Sequence, residues 1–192
     1  MLDAARALLF RVGVENLTVQ AIAEACGAPV GSLYNRFGSR RELLARLWLR
    51  AARKSQAAAL PQFVQDDAVE VAVASARRVV TFAREEPEDA RLLASFRRED
   101  LVGQELSPAL LSELETLNNP VQVAYKQLCK RLYGDARNDR MRRMMLPVLD
   151  LPLAAIRRYV LGGRSVPAEL EPLVERAARA ILTDDIASAG LE

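Results

Sequence analysis

Histidine is absent from these 192 residues, and cysteine occurs only at Cys26 and Cys129. Without an imidazole there is no His general acid or base and no His metal ligand. Two cysteines are too few for a disulfide framework and lack metal-ligand spacing, so both read as buried packing thiols. No G-x-S-x-G, Walker loop or H-E-x-x-H occurs. The acid pair Asp184-Asp185 falls near the C-terminal end, where solvation accounts for it. The chain therefore reads as no enzyme, with no metal and no cofactor. No run of 18 apolar residues exists, so no transmembrane helix is expected. The N-terminus lacks a basic region followed by a long apolar run, so no signal peptide is expected and the chain is placed in the cytoplasm. Alternating apolar runs with hairpin turns are missing as well, which leaves an all-α fold.

What remains is a globular composition, 51% apolar and 27% charged, long enough for one or two domains and a sizeable core. Helical punctuation divides it. Leu2 to Val12 carries Ala5, Leu8, Leu9 and Val12 on one face and ends at Gly13. Thr18 then caps a short helix whose stripe is Val19, Ile22, Ala23 and Cys26. Gly27 suits the left-handed position that closes it, and Pro29 suits the first turn of the next helix, where no N–H is needed. There Leu33 and Phe37, four apart, face inward. Val30, Ser32, Asn35 and Arg36 are left outside, with Tyr34 at the edge and Gly31 allowing close approach of the backbone. Gly38 stops this helix, and Ser39 with Glu42 forms a capping box for another. Two short helices split by a glycine turn, followed by a freshly capped third, make a helix-turn-helix plan. Its second short helix is the one offered to a DNA major groove.

Residues Thr18, Ile22, Ala23, Ala25, Gly27, Gly31, Ser32, Leu33, Tyr34, Phe37, Ser39, Glu42 and Leu43 carry a resemblance to the tetracycline-repressor (TetR) family of bacterial transcription regulators. It covers the stretch from about Leu2 to Leu47. The chain departs from the family pattern at Pro29, where Ser is usual, and at Arg36, where His or Tyr is usual. The first removes a capping hydroxyl near the phosphates; the second keeps a donor and adds charge, which bears on sequence preference.

The resemblance implies a three-helix DNA-binding domain over residues 1–47 and a helical ligand-binding and dimerisation domain over 48–192. It implies phosphate contacts from Thr18, Tyr34, Arg36 and Arg40. It sets Gln20, Val30, Ser32 and Asn35 against base edges, with Gly31 close to the DNA. The chemistry agrees: Gln and Asn pair bidentately with adenine, and a valine methyl meets that of thymine. The implied partners are double-stranded DNA with a pseudo-palindromic operator, a second copy of the chain, and a small-molecule effector; no membrane is implied. The function expected is a homodimeric repressor released by its ligand, with control by a protein partner, or without any small molecule, as the alternative.

Charge is uneven. Residues 1–54 hold nine Lys or Arg against four acids; the rest hold 18 against 21. A basic head on a mildly acidic body suits phosphate binding. Behind the head, Arg40 to about Ala59 reads as one helix ended by Pro61, Asp67 to Glu86 as another, and Glu88 to Arg97 as a short one. Ser107-Pro108 starts the next. Asn118-Asn119-Pro120 then either kinks that helix or begins a new one with Asn119 as cap. Asn138 to Leu161 contains Pro147 and Pro152 and is expected to bend, and a last helix runs from about Pro167 to Ile186. Leu149, Leu153, Ile156 and Val160 form one apolar stripe, and Leu170, Val174, Ala177, Ala178 and Ile181 another; these are the candidate dimer surfaces. Phe82, Phe96, Tyr125, Cys129, Tyr133, Met141, Met144 and Met145 are the candidate effector walls, since Met and aromatic side chains adapt to a ligand.

Overall fold

The computed structural model describes residues 1–13, 16–64, 66–103 and 106–189, and within them every side chain except those of 34, 36, 62, 64 and 187–189. The described residues contain helices and turns, without a strand. The order is α1 (Leu2–Val12), α2 (Val19–Cys26), α3 (Val30–Phe37), α4 (Arg40–Ala59, continued by a 3-10 turn Leu60–Val64), α5 (Ala68–Glu85) and α6 (Pro87–Ser95). There follow α7 (Arg98–Leu101), α8 (Pro108–Thr116), α9 (Asn119–Tyr133), α10 (Asn138–Met145), a π turn Leu146–Asp150, α11 (Leu151–Leu161) and α12 (Leu170–Ala189).

Helix α5 is the axis of the body. It packs against α4, α6, α9, α11 and α12. Asp67 caps it by accepting from the N–H groups of Val69 and Glu70, at 2.8 and 3.2 Å. Ser75, the one hydroxyl buried along it, donates back to the Val71 carbonyl at 2.8 Å, so no orphan polar group is left there.

Three apolar clusters fill the molecule. The first joins α1–α4 to Leu92, Leu101, Leu106, Leu110, Leu114 and Leu117. The second lies between α5, α6, α11 and α12, around Ala76, Val80, Phe82, Ile156, Val160, Val174 and Ala178. The third is at the far end, where Val71, Val73, Leu128, Cys129, Met144, Val148 and Leu182 meet. Helix α4 passes through residue 47 without a break.

One local expectation changes in the structure. The interruption at 118–120 is a new helix, but Asn119 is its first residue rather than its cap. Asn118 holds the cap position, and its carboxamide oxygen accepts from Gln56 of α4 at 2.9 Å instead of capping. Between α10 and α11 the helix changes register around Pro147, and Pro152 lies in the first turn of α11. A π turn takes up the ring of Pro147, whose missing N–H costs less where the hydrogen-bond register already changes.

The head is fastened to the body by charge. Asp89, in the first turn of α6, has a side chain only 3% exposed and pairs with Arg6 of α1 and, at 3.5 Å, with Lys54 of α4. Glu88 adds a second carboxylate to Arg6 at 2.9 Å. Arg41, in the first turn of α4, donates to the carbonyls of Asp100, Leu101 and Val102, each at 3.1 Å. A cation on the last carbonyls of α7 is favoured by the helix dipole. Gly103 leaves room for it, since a Cβ there would stand 2.9 Å from Arg41 Cζ. Arg41→Ala is expected to cost about 1–3 kcal/mol, the range for hydrogen bonds to a charged group. Urea unfolding measures it; a loss under a few tenths would mean that water replaces the guanidinium.

Candidate nucleic-acid interface

The head is built as its punctuation dictates. Thr18 Oγ1 accepts from the Ala21 N–H at 3.1 Å and caps α2, leaving its own hydroxyl proton to donate outward. Gly27 is left-handed at φ 60°, which lets Ala28 donate back to the Ala23 carbonyl at 3.0 Å and turn the chain into α3. The Pro29 carbonyl accepts from the Ser32 N–H at 3.0 Å. Val19, Ile22, Ala23, Leu33 and Phe37 are buried, as the spacing predicts, while Cys26 is half-buried. Ser39 caps α4 through the Glu42 N–H at 3.1 Å, but only half of the capping box forms. The Glu42 carboxylate is drawn instead to Arg46 at 2.6 Å and to the Ser107 hydroxyl of α8 at 3.2 Å.

With Leu33 and Phe37 inside, Gly31, Ser32 and Asn35 fall on the opposite side of α3, and all three are exposed. Gln20 and Thr18 are exposed at the start of α2, and Val30 is 39% exposed at the start of α3. Among the described residues, beyond its chain neighbours and the helix's own backbone, nothing lies within 4 Å of where a Gly31 Cβ would stand. The side chains of Tyr34 and Arg36 lie outside the described ones. Arg40 is half-buried and engaged within the protein, so a phosphate would have to draw it out of that contact.

The basic head proves to be a different thing from a basic recognition face. Arg6, Arg46, Arg50, Arg53 and Lys54 all pair with carboxylates, and Arg41 is spent on carbonyls. Several of those acids (Glu86, Glu88, Asp89 and Glu113) belong to the body. Within residues 1–47, Arg6 and Arg41 hold the head on the body, and Arg50, Arg53 and Lys54 extend the ion pairs along α4.

Of the eight candidate effector residues, six share the far cluster: Cys129 and Met144 are fully buried, and Tyr125, Tyr133, Met141 and Met145 pack against them. Phe82 sits in the middle cluster and Phe96 against the first, so the eight do not line one pocket. The Phe96 carbonyl accepts from Trp48 Nε1 at 3.0 Å, which pins the end of α6 to α4. Phe63, which periodicity did not single out, joins the cluster edge-on to Tyr125, 5.2 Å between ring centres. Burial pushes the Tyr125 hydroxyl up to about 12. Burial, with the Asp185 carboxylate beside it, also pushes up the Tyr133 hydroxyl. Nε and Nη1 of Arg140, whose guanidinium lies 5.8 Å from the Tyr133 ring centre, are buried and unpartnered.

The candidate dimer stripes need correction. Ile156, Val160, Val174 and Ala178 are buried inside the protomer, against α5 and α6. They are the inner stripe of helices that carry two. Leu149, Leu170, Ala177 and Ile181 are half-buried, and Leu153 is 46% exposed. The outward apolar row also includes Leu146 and Leu173, 52% and 48% exposed. Their seven-residue spacing to Leu153 and Ala180 was the signal available.

Among the described residues there is no metal-holding group of His, Cys, Asp or Glu, and no helix long and apolar enough to cross a membrane. A capped helix-turn-helix with an exposed polar second helix, carried on an all-helical body, defines a DNA-binding regulator. Residues 1–47 match the model of the bacterial regulatory proteins, tetR family. The whole chain shares its fold with TetR-family structures. One is the regulator PfmR from Thermus thermophilus, with TM-score 0.68, 20% identity, and 95% of this chain and 96% of that one covered. A second is a TetR-like regulator from Rhodococcus sp. RHA1, with TM-score 0.66, 18% identity and 93% and 91% covered. A third is FadR from Bacillus subtilis in complex with stearoyl-CoA, with TM-score 0.67, 12% identity and 94% and 95% covered. No curated protein sequence matches. The N-terminal 47 residues thus match the DNA-binding domain of the tetR family, and the chain has the fold of these transcriptional regulators.

Proposed function

We propose that this protein is a homodimeric repressor that binds a pseudo-palindromic operator and is released from it by a small molecule. Residues 1–47 form the reading head, and 48–192 the effector and dimer body. The observation that carries the reading is the face of α3 opposite Leu33 and Phe37, polar, exposed and unobstructed at Gly31. Gln20, Val30, Ser32 and Asn35 read bases there, and Thr18, Tyr34, Arg36 and Arg40 hold phosphates. One such helix touches few base pairs, and two held on one face of DNA multiply affinity. The site of action is the cytoplasm, where the DNA lies.

The test is fluorescence anisotropy with DNA from upstream of the protein's own gene, against scrambled DNA, at two salt concentrations. Selective binding that weakens steeply with salt is expected. Equal binding to both DNAs at both salts would sink the proposal for that region. Gln20→Ala is expected to relax preference at one base pair, by about 1–3 kcal/mol, with other positions unchanged. An unaltered base profile would remove Gln20 from the reading set.

The dimer surface is the outward row of α10–α12, with Leu153 at its centre. Beside it lies an open groove of about 640 Å³ that Leu146, Ala180 and Ile181 line, ready for a partner's side chains. Leu153→Glu is expected to give a monomer by light scattering at micromolar concentration with helicity retained, because the residue is exposed in the protomer. A dimer that survives the charge would move the interface elsewhere.

The effector enters the far cluster, where Met141 and Met145 supply adaptable walls. The Tyr133 hydroxyl and the buried, unpartnered Nε and Nη1 of Arg140 supply a polar end. That FadR was solved with stearoyl-CoA supports a small ligand in this fold. The full burial of Cys129 and Met144 favours the second reading, control by a protein partner or by none. A metabolite panel that releases DNA decides for the first, and a panel without effect for the second.

A further inference from the structure

We infer that a cleft between α1, the start of α6 and the α11–α12 turn binds a small organic anion: an aryl or alkyl group bearing a phosphate or carboxylate. The cleft is about 270 Å³ and has an apolar floor of Phe10, Pro87 and Val160, with Arg91 and Arg164 at its rim. Its two cations, and Arg158 next to Arg164 but outside the lining, are held without counter-charge. Arg91 lies over the Phe10 ring at 4.6 Å. Arg158 and Arg164 lie over the Tyr159 ring at 4.8 and 5.5 Å. Arg164 Nη2 also donates to the Arg158 carbonyl at 3.3 Å, and Arg158 Nη2 to the Tyr159 hydroxyl at 2.7 Å. No carboxylate among the described residues pairs with any of the three. The one acid in its lining, Glu88, is bound to Arg6 at 2.9 Å.

Gathering like charges against π faces and carbonyls leaves their field unspent in a concave, partly apolar place. Gly163 makes the arrangement possible. It is left-handed at φ 62°, and a Cβ there would stand 3.3 Å from Arg91 Nη1. The guanidiniums select an anion, and the floor selects an organic one. Because the floor includes Phe10 of the head and the rim includes Arg164 of the body, a bound anion touches both and ties the head's position to its own occupancy.

The experiment is a thermal-shift titration of the full chain with phenyl phosphate, alongside inorganic phosphate and benzyl alcohol. It needs no DNA, so its result stands apart from the regulator reading. Phenyl phosphate is expected to raise Tm saturably, inorganic phosphate only at higher concentration, and benzyl alcohol not at all. Arg91→Gln with Arg164→Gln is expected to weaken the phenyl phosphate midpoint by about tenfold or more. Ser165→Glu, which keeps both arginines and adds a negative charge at the cleft, is expected to do the same and covers the case of a double variant that folds poorly. No saturable shift in the native chain, or an unchanged midpoint in the folded variants, overturns the site. So does a double variant that keeps its phenyl phosphate response but loses part of the salt dependence of DNA binding. That result would assign the arginines to the DNA backbone.

Discussion

Gly31→Ala is expected to lower operator affinity by about tenfold or more while leaving the protein at least as stable as before. The two halves of that result have separate causes. Gly31 sits in the first turn of α3 and is not among the glycines held at positive φ. An alanine there is unstrained and recovers up to about 0.5–1 kcal/mol of helix propensity, less at a helix start. Among the described residues its methyl meets nothing in the free protein. In the proposed docking the same methyl would stand where the backbone of α3 comes nearest the groove, on the face that carries Ser32 and Asn35. Tm and anisotropy on one preparation read both effects. A raised Tm with unchanged affinity would show that α3 does not approach DNA at this point, and would undo the assignment of its outer face.

Arg6→Met is expected to cost about 3–5 kcal/mol of folding stability, the loss usual when one partner of a buried ion pair is removed. The Arg6 side chain is 17% exposed and that of Asp89 only 3%. Without the guanidinium, Asp89 keeps only Lys54 at 3.5 Å, and that ammonium is shared with Glu86. The cost therefore comes from a stranded carboxylate more than from a lost attraction. Arg6→Met with Asp89→Leu is accordingly expected to recover most of the loss, because both charges leave together. Chemical unfolding of the single and double variants decides the point. A single variant within about 1 kcal/mol of the native chain would place this pair with screened surface pairs. Because the pair joins α1 to α6, the single variant is also expected to loosen the head and weaken operator binding.

The head was legible because its signals are local. Thr18, Gly27, Pro29, Gly38 and Ser39 each act on backbone groups within four residues, so a cap or a left-handed turn can be read from a few letters. The inward placement of Ile22, Leu33 and Phe37 follows from helical spacing for the same reason. The half-formed capping box at Glu42 shows the limit: Ser107, 65 residues away, competes for the carboxylate.

The sequence by itself determined the all-α class, the helix-turn-helix and the side of α3 that faces out. Tertiary structure alone decided which of two apolar stripes on α11 and α12 turns inward, and that Phe82 and Phe96 stand apart from the methionines. It alone set Arg6 of the head on Glu88 and Asp89 of the body, and left Arg91, Arg158 and Arg164 without a carboxylate among the described residues. Periodicity marks a stripe as apolar but not what covers it, and composition counts charges without pairing them. Both are settled by contacts between residues distant in sequence, such as Arg6 and Asp89, 83 positions apart, whose energies exist only once the helices have packed.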